Sequence, residues 1–265
     1  ALALALAPAL VLHPYATMIR NVLMMATSGL VLFSQEFVNA VAQPRLMGSL
    51  LTTMVEFSGM AAGMPISYIE LGNVSVTIVL HEAAKVFCAL FHDRDDGPTF
   101  GRLICTEMLY RFIDRFSSEI GSPGHNLKDF HDFHREIADA IRNAVNPVLA
   151  KVQAQRGVIL ALLITEDAEV HPQTDVDKIG VLANLQPLLS SATDILAHQD
   201  DAAVHLALEG SSHSRILLWR IDRAVLVVSV SKQVSSSKYR AAIEEARDML
   251  EKVVYLVSNL HLVTR

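Results

Sequence analysis

The chain of 265 residues is 51% apolar and 19% charged, which excludes long disordered regions and is enough for one large domain or two ordinary ones. Its formal charge of -6 leaves no electrostatic footprint for a nucleic-acid backbone. Residues 1–124 and 125–265 each carry -3, so neither part is a polybasic membrane-binding module.

The opening ALALALAPALVL resembles a signal-peptide apolar region but lacks a basic start and is too short to span a bilayer. Residues 1–17 are therefore set apart as a leader or poorly defined segment. From Met18, IRNVLMMAT, a turn at Ser28-Gly29 and LVLFSQEF predict a strand hairpin. Residues 44–58 predict a helix: Pro44 suits its first turn, Leu46, Leu50, Met54 and Phe57 share one face, and Gly59 and Gly63 end it. ISYIEL, VSVTIVLH and KVFCALFH then predict a three-strand meander. In the second of these, Val74, Val76, Ile78 and Leu80 alternate with Ser75 and Thr77, the pattern of a sheet covered by helices on one side.

After Pro98 a helix is expected through Cys105, Leu109, Phe112, Phe116 and Ile120, closed by Gly121 to Gly124. Asn126 can cap another, with Phe130, Ile137, Ile141, Val145 and Val148 as its stripe, interrupted or bent at Pro147. GVILALLI and AEVHP predict a second strand pair, and residues 175–198 a helix kinked at Pro187. AAVHLALE, RILLWRI and AVLVVSV follow as strands, and a last helix runs from about Ser237 to Leu260 with Tyr239, Ile243, Ala246, Leu250, Val253 and Val257 buried. The order of two strands, helix, three strands and helix thus occurs twice. The expected fold class is α/β layered, with two similar domains, each a five-stranded and largely antiparallel sheet packed with helices.

Through its element order, MPISYIELGNVSVTIVL and VFCALFHDRDDGPTFGRLICTEMLYRFIDRFSSEIG, the first round resembles a longin domain over residues 18–145. The second, residues 146–265, resembles a roadblock domain, whose order is helix, two strands, helix, three strands, helix; its first helix is shared with the preceding segment. The resemblance implies non-catalytic scaffolds, SNARE-like and adaptor-like, that pair through helices and sheet edges as platforms for small GTPases or subunits of vesicle-trafficking complexes. It transfers no catalytic residue, cofactor or metal ligand.

Several residue groups invite chemistry. His92, Asp93, Asp95 and Asp96 hold donors that suit a divalent cation, yet they stand where a strand hands over to a helix, and Asp there serves turns and caps. HNLKDFHDFHRE offers His125, His131, His134 and Glu136, with the two later histidines on one helix face; a solvated face is the preferred reading. Ser235 and Lys238 match S-x-x-K without its companion motifs, so the serines read as a helix cap. His171, Asp175 and Asp177 read as a loop entering a helix, and Trp219 as a core or interface residue. Cys88 and Cys105 have no zinc, redox or disulfide spacing, which fits a cytoplasmic setting. No phosphate loop or dinucleotide fingerprint is present.

The expected function is a non-catalytic interaction scaffold, reaching endomembranes only through protein partners such as small GTPases or a second copy, with no nucleic acid and no transmembrane segment. Its interface residues are expected at sheet edges 66–71 and 202–208 and the neighbouring helix: Ile66, Tyr68, Leu182, Leu185, Leu189, Val204 and Leu206. The alternatives are a metal-dependent hydrolase using His92, Asp93, His131 and His134, and a small-ligand sensor with a pocket between sheet and helix.

Overall fold

A computed structural model describes residues 19–37, 40, 43–120, 127–173, 181–198, 201, 203–211 and 213–263. The expectations for residues 1–17, Gly121 to Gly124, His125, Asn126, Asp175 and Asp177 lie outside these residues. Contacts group Val145–Tyr255 as one unit and the described residues up to Ala144, with those from Leu256, as another.

In the unit that comes first in the chain, β1 (Ile19–Ala26) and β2 (Val31–Glu36) form a hairpin, and β3 (Tyr68–Leu71), β4 (Val74–His81) and β5 (Val86–Asp93) a meander. The sheet order is β2-β1-β5-β4-β3, antiparallel throughout. The centre falls to β5 because Val86 to His92 are all buried, so both of its faces need cover. Helices supply it on both sides, which corrects the one-sided cover expected from β4. Helix α1 (Pro44–Ala62) lays Met47, Leu51 and Val55 on Leu23, Val76, Ile78 and Phe91. Helix α2 (Gly97–Arg115) lies on the opposite face, where Cys105 Sγ sits 3.3 Å from the carbonyl oxygen of Cys88 and 3.7 Å from that of Thr77. Ser75 and Thr77 are buried rather than wet, and each has a partner: Tyr68 Oη donates to Ser75 Oγ, and Thr77 Oγ1 meets His92.

The inward face of α1 also differs from expectation. Leu46, Leu50 and Phe57 point to water, 65%, 49% and 67% exposed, while Leu51 is buried. The cause is Gly48: a Cβ there would stand 3.0 Å from Met25 Cε and 3.2 Å from Val31 Cγ2, so the missing side chain lets this face of the helix close on the hairpin. The helix also runs through Gly59 and ends at Gly63, which takes the left-handed conformation at φ 70°.

The helical stretch that follows is more broken than its periodicity suggests. Helix α2 stops before Phe116, α3 (Ser117–Ile120) follows, and the expected helix after Asn126 is a 3₁₀ helix (Leu127–Arg135), α4 (Ile137–Asn143) and α5 (Val145–Gln153). The stretch is interrupted at Ala144, between α4 and α5, and Pro147 lies in the first turn of α5, where its missing N-H would have had no helical partner.

The other unit begins with α5 and continues as β6 (Val158–Ile164), β7 (Val170–His171), α6 (Val181–Ala197), β8 (His205–Glu209), β9 (Ser214–Ile221), β10 (Ala224–Ser231) and the part of α7 (Arg240–Val263) up to Tyr255. Its sheet order, β7-β6-β10-β9-β8, repeats that of the first, again antiparallel throughout. From α6, Leu185 and Leu189 pack on Leu162, Ile164, Leu218 and Val227, and the helix continues through Pro187. A 3₁₀ turn, Ser236–Lys238, precedes α7, and Tyr239, Ile243, Ala246, Leu250 and Val253 are buried as expected, with Val257 only half-buried. Ser235 does not cap it with its side chain; its Oγ lies 3.0 Å from Ser237 Oγ. Among the described residues no helix is long and apolar enough to cross a membrane.

Candidate functional site

The acidic turn after β5 is a structural joint. His92 is fully buried, with Nδ1 2.9 Å from the Asp93 carbonyl oxygen and Nε2 2.9 Å from Thr77 Oγ1. The carbonyl can only accept, so Nδ1 donates to it and Nε2 accepts from the threonine hydroxyl, which leaves neither nitrogen facing a ligand. Arg20 holds the Asp93 carboxylate through Nε and Nη2, both 2.7 Å from Oδ1. Asp96 is buried with Oδ2 3.8 Å from His92 Nδ1. Neither Asp93 nor Asp96 caps the helix that follows it with its side chain, because each carboxylate turns toward a cation-capable partner in the fold instead.

On the 3₁₀ helix, His131, Asp132 and His134 are exposed, and one ligand-capable atom from each lies within 4.8 Å of the others. Glu136 is engaged elsewhere, accepting from Arg111 Nε at 2.9 Å and Nη2 at 2.7 Å. His92 and Asp93 are not part of this cluster, so among the described residues the four groups of the hydrolase reading do not converge. Cys88 and Cys105 are free and buried, and burial, with the Cys105 hydrogen bond, pushes the Cys88 thiol well up from its ordinary range.

The surface features are exposed apolar residues on helices and unpaired strand edges. Leu46, Leu50, Phe57 and Met60, the last 81% exposed, form the outer row of α1, and Met64 and Leu71 are exposed near the start and at the end of β3. Among the described residues nothing pairs with the outer edge of β3 or of β8. The 3₁₀ helix packs on β2 through Phe33 against Phe133, and the edge strand β7 is two residues long. Of the residues singled out in the sequence, Ile66 packs partly on the core of its sheet and Tyr68 is half-buried. Leu185 is buried in the other core, Leu189 and Leu206 are half-buried against it, and Val204 is 60% exposed. The side chain of Leu182 lies outside the described residues.

At the β8 edge His205 stacks on its cross-strand partner Trp219, with ring centroids 4.7 Å apart. Desolvation there holds the His205 pKa below 6.5. Above pH 6.5 the ring is neutral folded or unfolded; as pH falls through that value the unfolded chain takes up the proton first, so the edge loses stability toward acid. Trp219 is the single tryptophan, so its emission reports this contact alone. The emission is expected to titrate with a midpoint below 6.5 and to lose that transition in His205→Gln; a midpoint at or above 6.5 would contradict the desolvation.

Two five-stranded antiparallel sheets, each carrying helices in the order ββαβββα, define an α/β layered fold of two similar domains. No protein-family model matches the chain, and no curated protein does. Among solved structures it is similar to Myxococcus xanthus MglB, 17% identical over 44% of this chain and 90% of that one, with a TM-score of 0.36. It is also similar to a Roadblock/LC7 domain from Streptomyces avermitilis, 14% identical over 40% of this chain and 96% of that one, with a TM-score of 0.33.

Proposed function

We propose that the chain is a non-catalytic interaction protein whose domains, residues 18–145 and 146–265, serve as a platform for protein partners. The observation that carries this reading is the outer row of α1. Leu46, Leu50, Phe57 and Met60 face water along one row of the helix, and the outer edge of β3 in the same domain is unpaired among the described residues; an exposed apolar row of this kind marks an interaction site. The occupant that fits is a protein offering an apolar strip and an extended segment, since the edge supplies backbone N-H and C=O groups for strand addition. Helix α1 contains only Arg45 and Glu56 as charged residues, so it offers no anchor for phosphates or lipid headgroups. In the other domain Ile195 on α6 and Val204 before β8 are exposed apolar residues.

The resemblance to longin and roadblock domains directs the search to small GTPases and trafficking-complex subunits. The test is capture from the native lysate in GTP-loaded and GDP-loaded conditions, with bound proteins identified by mass spectrometry. The wild-type chain is expected to retain a GTPase or trafficking subunit that the double variant Leu50→Asp, Phe57→Asp loses at unchanged circular dichroism. Identical eluates from the two chains would overturn the assignment to this face.

A further inference from the structure

The segment LKDFHDFHR, residues 127–135, divides into triplets: Leu-Lys-Asp, Phe-His-Asp, Phe-His-Arg. It forms a 3₁₀ helix, which has three residues per turn, so positions i and i+3 stand one above the other and the triplets become rows. Phe130 and Phe133 make one row, both fully buried among Phe33, Phe112 and Phe116. With that row held in the core, the helix cannot rotate, and the next row, His131 above His134, is fixed on the outside.

We propose that His131, Asp132 and His134 form a surface site for a divalent late-transition ion, with zinc as the ion its donors suit. Two imidazoles and one carboxylate are a zinc-type set, and they leave the remaining coordination positions to water. The ring centroids of His131 and His134 are 5.1 Å apart. One donor atom from each of the three residues already falls within 4.8 Å of the others. A tetrahedral ion with bonds of about 2.0–2.2 Å needs its donors near 3.3 Å, a closure of about 1.5 Å that exposed side chains reach by rotation. His134 is also prepared for the task. Its Nδ1 lies 2.8 Å from the His131 carbonyl oxygen, which can only accept, so Nδ1 donates and Nε2 keeps its lone pair for the metal. Ligating histidines are oriented by such a bond from the other ring nitrogen. The site involves no residue of the α1 face and stands independently of the platform reading.

The experiment is calorimetric titration of the full, untagged chain with zinc chloride, beside His131→Ala, His134→Ala and, as a control, His213→Ala, an exposed histidine elsewhere. Saturable one-to-one binding at micromolar zinc is expected, weakened at least about tenfold in each of the first two variants and unchanged in the control. Circular dichroism verifies that the variants keep their fold, which surface substitutions of this kind should not disturb. Absence of binding by the wild-type chain, an affinity unaltered in both row variants, or equal weakening by His213→Ala overturns the site.

Discussion

Replacing Gly101 with alanine is expected to cost about 1–2 kcal/mol of stability, although alanine is the better helix former. A methyl group at this position of α2 would overlap both Thr77 Oγ1 and His92 Nε2, the two atoms that share a buried hydrogen bond. Two escapes exist. Moving α2 off the sheet would loosen Ile104, Cys105 and Met108, all fully buried, and overpacking of this kind costs roughly 1–3 kcal/mol. Parting Thr77 from His92 would strand polar atoms in the core at about 1–3 kcal/mol. The gain in helix propensity, roughly 1 kcal/mol, offsets only part of either. Urea unfolding followed by far-ultraviolet circular dichroism reads the difference; a variant within ~0.5 kcal/mol of the parent would mean that α2 does not approach the sheet this closely.

Truncating Phe133 to alanine should be costlier, about 4 kcal/mol, since the ring is fully buried and large-to-small changes of this type cost roughly 3–5 kcal/mol. Its ring meets Phe33 and Phe112 edge-on, each with centroids 5.1 Å apart, and edge-to-face pairs add about 0.5–1.5 kcal/mol beyond area. The loss should be concentrated where the ring acts as a bolt, so amide hydrogen exchange is expected to accelerate across residues 127–135 before it does in β5. Phe133→Leu keeps most of the volume and should lose much less. Equal losses in the two variants would show that ring geometry, rather than filled space, holds the segment.

These positions also explain what could be read from the sequence and what could not. The meander was legible because period-two alternation and β-branched residues leave little choice: β4 occupies Val74–His81, the whole of VSVTIVLH. The repeat of element order was legible for the same reason. The inward face of α1 was not, since the helix carries two apolar rows, Leu46–Leu50–Phe57 and Met47–Leu51–Val55, and hydrophobicity cannot rank them. The deciding residue, Gly48, has no side chain to count. His92 and its acidic neighbours carry donors that suit a cation, and their place at a strand's end favoured the structural reading; residue type does not reveal depth, and β5 carries the ring under α2, where Thr77 of β4 and the Asp93 carbonyl are its partners. A 3₁₀ helix stands where an α-helix is expected because the α-helical stripe joins Phe130 to Ile137 and passes over Phe133, although the triplet spacing that marks the 3₁₀ form is present in the letters.

That triplet spacing constrains how the segment can change length. Adding or removing one residue between Phe130 and Phe133 would swing everything beyond by a third of a turn, so that an acid or an imidazole would be driven into the aromatic nest. Only insertions in multiples of three would preserve which side is dry and which is wet. Homologous chains of differing length should therefore vary here by whole triplets or not at all.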